Sequence, residues 1–395
     1  MSKYNFVDAP NRSQLGSGKW RGMLAHNPNV SEDIIPFSVA DMEFYNAPEL
    51  TNGLAEYAKQ AIYGYTGATD KYYDAIINYM KDKHDWNIQK EWIVEIGGVV
   101  PALFQLVQAY TEKGDGVIIT RPVYYPFSMA IEKSERKIVN VSLIENEGKY
   151  TIDFDALESA AKREDVKLMI FCSPHNPIGR VWTKEELEKV ATICLENHVI
   201  LISDEIHFDF VMKGYKHTVM STLSEEIANN TVVCTAPSKS FNLGGVQASN
   251  IIIQNEELRN KFRNQLANNA MFGINTFAYK TCELVYNECR EWFDELLDVI
   301  ETNKKLVEDF VKENIPEIKV TPLEGTYLMW LDCRALGLDI KELEKLMLDH
   351  DLYLDEGYIF GEEGNGFERV SIACPTDKLL KGLERFKEAV LSLNR

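Results

Sequence analysis

No apolar run in the 395-residue sequence approaches the roughly 18 residues that a membrane-spanning helix needs. Positive charge is scarce, with 42 Lys and Arg against 61 Asp and Glu and a net charge of -19. Nucleic acid and anionic membrane surfaces are thereby excluded as partners, since either would be repelled before a specific contact formed. Any small anion must find a local cradle. Cysteine occurs seven times, but there is no C-x-x-C pair, and several of the seven sit inside apolar runs. That argues against disulfides or a zinc site and for a reducing, cytoplasmic setting. The polar start MSKYNFVDAPNRS contains no signal-peptide core. Internal repeats and low-complexity tracts are missing as well.

What is present is an ordinary globular composition, 45% apolar and 26% charged, in a chain long enough for two domains. Residues 1–45 mix Gly, Pro, Asn and charge without a period and read as an irregular arm, suited to packing on a partner subunit. From 47 to 80 the pattern is helical, broken at Tyr63-Gly64-Tyr65-Thr66-Gly67. Short apolar runs follow at 117–120, 168–172, 199–203, 231–235 and 250–253, separated by helical stretches such as TKEELEKVATICLENH, where Thr183 and Glu186 have capping-box spacing. Strands alternating with helices predict a mainly parallel sheet covered on both faces, a three-layer α/β/α arrangement over 46–290. A long amphipathic helix at about 291–314 then leads to a smaller C-terminal α/β unit ending at 395, which the arm joins.

Ligands of such sheets bind beyond the carboxyl ends of the strands, so the residues there matter most. After 168–172 comes SPHNPIGRVW, whose prolines are expected to hold the backbone extended and present Asn176. A turn amide is the ordinary role of such an asparagine. After 199–203 comes DEIH, with Asp204 leaving the sheet and His207 three residues on. A buried carboxylate needs a cation, whether a ring nitrogen or a structural salt-bridge partner. His175, His207 and Asp209 match no metal-ligand spacing. The run 231–235 opens TVVCTAPSKSFNLGG, in which Lys239 stands among Ser238, Ser240 and Asn242 ahead of two glycines. Most lysines are surface charges, but one placed there can condense with a carbonyl group. In EIGGVVPALFQLVQAY a glycine pair precedes a helix with Pro101 in its first turn, and the free amides at Gly98, Val99 and Val100 suit a phosphate. Tyr124 follows another strand, where its ring could cover a planar ligand or simply pack in the core. Arg369, inside the apolar run ERVSIACP, needs an anion, either a ligand carboxylate or one of the protein's own acids.

Asn176, Asp204 and Lys239, in this order beyond strands, with Arg369 in a C-terminal unit, resemble the fold-type I pyridoxal-phosphate enzymes, the aspartate aminotransferase superfamily. The likeness covers essentially the whole chain. Within it VADMEF, SPHNPIGRVW, SDEIH, SKSFNLGG and FERVSIACP are similar to the cystathionine β-lyase or C-S lyase branch. The resemblance implies pyridoxal 5'-phosphate as cofactor, bound by the large domain over 46–290. It gives Lys239 as its covalent anchor and the catalytic base, Asp204 at the ring nitrogen, Asn176 at the ring hydroxyl with His207 nearby, and Tyr124 stacked on the ring. The phosphate would rest on the Gly98 and Val99 amides, with Ser238 and with Tyr65 reaching over from the other subunit of a homodimer. Arg369 would hold the α-carboxylate of an amino-acid substrate, helped by the backbone near Ala40. The implied reaction is cleavage of cystathionine or a related cysteine S-conjugate to a thiol, pyruvate and ammonia. An aminotransferase is the alternative, and a cofactor-binding regulator the non-enzymatic one. Two positions depart from the branch: Ser38 stands where it commonly has tryptophan, which bears on substrate size, and Gly244 where it commonly has alanine.

Overall fold

All five apolar runs form strands of one sheet in the computed structural model, which describes residues 3–31 and 33–393. In chain order the strands are β1 (Ile93–Ile96), β2 (Gly116–Ile119), β3 (Lys137–Asn140), the hairpin pair β4 (Ile144–Asn146) and β5 (Lys149–Thr151), β6 (Val166–Cys172), β7 (Ile200–Asp204), β8 (Thr231–Thr235) and β9 (Ser249–Ile252). The main sheet has the order β1-β9-β8-β7-β6-β2-β3. Strands β3, β2, β6, β7 and β8 pair in parallel, while β9 runs antiparallel to both β8 and β1. The sequence signal for β1 and β3 is weak for a physical reason. Glu95 interrupts the four-residue β1, and β3 buries Val139 alone, as an edge strand does.

Burial on both faces explains why the central strands read as continuous apolar runs. Ile119, Leu168, Ile170, Ile202 and Val232 point to one layer, with Leu103, Phe127 and Phe262. Their neighbours Ile118, Met169, Phe171 and Leu201 point to the other, with Leu187 and Val190. The helix Lys184–Glu196 is closed at its start by the reciprocal Thr183–Glu186 capping box. A 25-residue helix, Arg290–Asn314, leads into the small C-terminal domain. Its four-stranded antiparallel sheet is built from β10 (Lys319–Val320), β11 (Leu328–Asp332), β12 (Asp355–Glu356) and β13 (Phe367–Ser371), in the order β10-β11-β13-β12.

The arm is not irregular throughout. It contains the helix Gly18–His26, which buries Lys19, Trp20 and Met23. Local periodicity does not announce this helix because it is held by contacts from outside itself, the core around Trp20 and Met23 and one buried acid. Glu43, 1% exposed, takes Lys19 Nζ at 2.9 Å and Arg12 Nη1 at 3.1 Å, and accepts from Trp20 Nε1 at 3.0 Å. Farther on, Phe37 donates to the Tyr353 carbonyl and accepts from the Ser371 amide, both at 2.9 Å, so the arm extends the small sheet beside β13. Replacing Glu43 with glutamine leaves the Lys19 ammonium buried without a counter-charge. Urea denaturation is expected to register a loss of roughly 3–5 kcal/mol, whereas a loss under about 1 kcal/mol would mean that the cluster is dispensable.

Candidate active site

Three neighbouring parallel strands end together. Cys172 of β6 pairs with Asp204 of β7, and Asp204 with Cys234 of β8, so the carboxylate leaves the sheet between two sulfur-bearing positions. Just past β8, Pro237 starts the one-turn helix Pro237–Ser240 that carries Lys239. Beyond β1, the helix Val99–Tyr110 points its N-terminus at the same place. These ends enclose a cavity of about 270 Å³. Its lining includes Ala40, Gly98, Val99, Tyr124, Asn176, Asp204, His207, Ser238 and Lys239, all expected from the sequence.

The charges are arranged to be completed by something else. Asp204 is 2% exposed and its Oδ1 accepts from the Ile206 amide at 3.2 Å. Burial lifts its carboxyl to about 7, opposed only by that amide and by the charge of Lys239. Lys239 is brought down to about 8, first by burial and then by the Arg369 cation. Its Nζ donates to the Ala40 carbonyl at 2.8 Å. His207 is buried with its Nδ1 unpartnered, and burial followed by the charges of Lys239 and Arg369 keeps it neutral. Burial also pushes the Tyr124 hydroxyl up, which keeps that ring uncharged. Asn176 Oδ1 accepts from Arg369 Nη1 at 2.7 Å, which leaves Nδ2 as its donor.

Two expectations need correction. The segment after β6 is folded back, not extended: the Ser173-Pro174 and Asn176-Pro177 peptides are cis, and the His175 amide donates to the Arg180 carbonyl at 2.8 Å. The chain reversal aims Asn176 into the cavity. At the glycine pair, the Gly98 N–H is already used, donating to the Ile96 carbonyl at 2.8 Å. Gly98 instead supplies a φ of +126°, and the donors free for an anion are the Val99 and Val100 amides, which have no carbonyl of their own helix to bond.

Arg369 stands just behind the lining, joined to it through Asn176. Tyr65 does not line this cavity. It is fully exposed, beside Ile62 and Tyr63, which are 91% and 62% exposed. Asp209 serves elsewhere, taking His84 Nε2 at 2.8 Å and the Ser240 hydroxyl. Sequence reasoning misses Cys172, Ile206 and Gln247 in the lining and Asp355 at Arg369. Gln247, two residues past Gly245, takes a left-handed φ of +59° that its sequence does not announce. Val39, with φ +60°, is a stronger outlier, because a β-branched side chain is strained in that region.

A buried acid with no salt-bridge partner among the described residues, an orphaned imidazole nitrogen, helix amides and an amine lowered to about 8 fit a flat, anionic, cationic-ring aldehyde. Comparison with known proteins points the same way. The family model "Aminotransferase class I and II" matches residues 32–386. The cystathionine beta-lyase PatB of Bacillus subtilis is 41% identical over 91% of this chain and 93% of its own. The protein MalY of Escherichia coli is 30% identical, covering 91% and 92%. Among solved structures, cystalysin from Treponema denticola, which contains a pyridoxal 5'-phosphate cofactor, superposes with a TM-score of 0.97 at 47% identity, over 99% of this chain and 100% of its own. The PLP-bound C-S lyase from Staphylococcus hominis gives 0.91 at 30%, over 99% of each.

Proposed function

Because this chain belongs to the class I and II aminotransferase family, within its cystathionine β-lyase and C-S lyase branch, we propose that its cavity cleaves the Cβ–S bond of cystathionine or a related L-cysteine S-conjugate. The chain is a pyridoxal-phosphate-dependent C-S β-lyase. The pairing of Asp204 with the lowered amine of Lys239 in one cavity supports the cofactor chemistry, and the likeness to cystathionine β-lyases and C-S lyases, carried by motifs such as SDEIH and SPHNPIGRVW, supports Cβ–S cleavage over transamination.

Lys239 would hold the cofactor through its amine and Asp204 would face the ring nitrogen. Asn176 Nδ2 would donate to the ring hydroxyl near His207, Tyr124 would cover the ring, and the Val99 and Val100 amides with Ser238 would take the phosphate. When bound, the cofactor supplies an electron-withdrawing ring conjugated to the substrate nitrogen. Arg369 orients the substrate by its α-carboxylate, with the backbone at Ala40 alongside. Lys239, with an amine partly neutral near pH 7, takes the proton from Cα. The electron pair left behind expels the sulfur from Cβ, and the ammonium of Lys239, having taken the Cα proton, would return it to the departing thiolate. One water is consumed overall, and thiol, pyruvate and ammonia leave. A homodimer, in which the partner subunit's Tyr65 reaches the phosphate, accounts for the exposed aromatic loop.

Cystathionine supplied to the holoenzyme without any keto acid is expected to yield pyruvate and free thiol in equal amounts. Turnover only when a keto acid is added would replace the lyase reading with a transaminase.

A further inference from the structure

Arg369 does not wait empty-handed. Its Nη1 donates to Asn176 at 2.7 Å and its Nη2 to Asp355 Oδ2 at 2.5 Å, its Nε is buried without a partner, and its guanidinium lies 4.7 Å over the Phe360 ring. Asp355 and Arg369 are opposite residues on β12 and β13, so the sheet itself sets this pair side by side. The same Oδ2 accepts from the Val39 amide at 2.7 Å. Val39 is the residue strained at φ +60°, and the next carbonyl, that of Ala40, holds Lys239 Nζ at 2.8 Å. A single side-chain oxygen therefore ties the substrate-facing arginine to a strained turn whose other end rests on the lysine.

An Asp carboxylate and the α-carboxylate of a substrate are the same chemical group seeking the same guanidinium. We propose that Asp355 is a specificity-determining residue: an internal competitor for Arg369 that the carboxylate of an amino acid must displace, and that returns to expel the keto-acid product. This rests on the reading of Arg369 as the α-carboxylate site. Before its amine condenses with the cofactor, an incoming zwitterion repays the displacement, since its ammonium offers the released Asp355 an opposite charge. A carboxylate without an amine brings only like-charge repulsion. The site thus filters amino acids from desamino acids, and pyruvate, which has lost its amine, leaves as a poor ligand.

The test is calorimetric titration of the holoenzyme with 3-(methylthio)propanoate and with pyruvate, neither of which carries an amine to react. Asp355→Asn keeps the shape and an oxygen for the Val39 amide but removes the charge, and Asp355→Ser serves as a second variant if the first folds poorly. Both carboxylates are expected to bind about tenfold more tightly to Asp355→Asn than to the wild type, and pyruvate inhibition of turnover is expected to strengthen in step. Equal or weaker binding in both variants would overturn the proposal and leave Asp355 as a mere support for the arginine. Arg369→Ala separates the two ideas. If it removes carboxylate binding while Asp355→Asn has no effect, the competitor role alone fails. If it leaves binding intact, the carboxylate site is elsewhere and both readings fall.

Discussion

Lys239→Ala is expected to lower pyruvate release from cystathionine by roughly 10³-fold or more, the largest effect of any single substitution in the chain. Among the described residues that line the cavity, Lys239 carries the one amine, and in the proposed mechanism that amine has two duties, anchoring the cofactor and moving the Cα proton. No neighbour can inherit either. His207 is held neutral, and Asp204, on the strand between β6 and β8, is the proposed partner of the ring nitrogen. The visible absorbance that reports a lysine-linked cofactor should vanish with the activity. The fold should not suffer, because the side chain projects into the cavity. Activity within about tenfold of wild type in a folded, cofactor-supplied variant would remove Lys239 from the mechanism.

Asp204→Asn is expected to cost about 10² to 10³ in turnover, since a neutral amide no longer favours a protonated ring nitrogen. Stability should move the other way in the cofactor-free protein. Burial raises the Asp204 carboxyl from 3.8 to about 7. Between those values the folded chain keeps a proton that the unfolded chain has released, so stability falls as pH rises through this window. The penalty is fully present above about 7 and absent below 3.8. Asparagine carries no such penalty. The cofactor-free variant should therefore resist urea better than the cofactor-free wild type at pH 8, by on the order of a few kcal/mol, with the gap closing towards pH 4. A variant less stable at both pH values would make Asp204 a structural ion with no tuning role. The acid is placed for function at the expense of the empty fold.

The residues that are legible in the sequence share one property. Asn176, Asp204 and Lys239 each follow a short apolar run, and although each alone has an ordinary structural reading, their shared placement at strand ends of one parallel sheet marks a ligand site. The sheet then brings them together, because β6, β7 and β8 are adjacent. What is not legible depends on contacts between distant parts of the chain. Asp355 sits in an unremarkable DEG stretch, and its meaning comes only from Val39 and Arg369, which lie on the arm and on β13. The arm helix is invisible for the same reason, since Glu43 stabilises it from outside. Gly98 shows a subtler limit. The sequence marks the glycine correctly but cannot say that its N–H is spent on Ile96 while its backbone angle is what the site uses.

The place of β9 in the sheet sets the order in which a newly made chain acquires its site. Among the described residues β1 pairs only with β9, and β9 also closes against β8. During synthesis, β1 leaves the ribosome early and has no strand partner until Ser249–Ile252 has emerged. Until then, the helix Val99–Tyr110 can pack on β6 and β8 but β1, which leads into it, is unpaired, and pairing it closes a long-range loop, the slow kind of folding step. Cofactor capture is accordingly expected to follow the closing of β9 against β1, and a shortage of cofactor would leave a woven sheet around an unmatched acid.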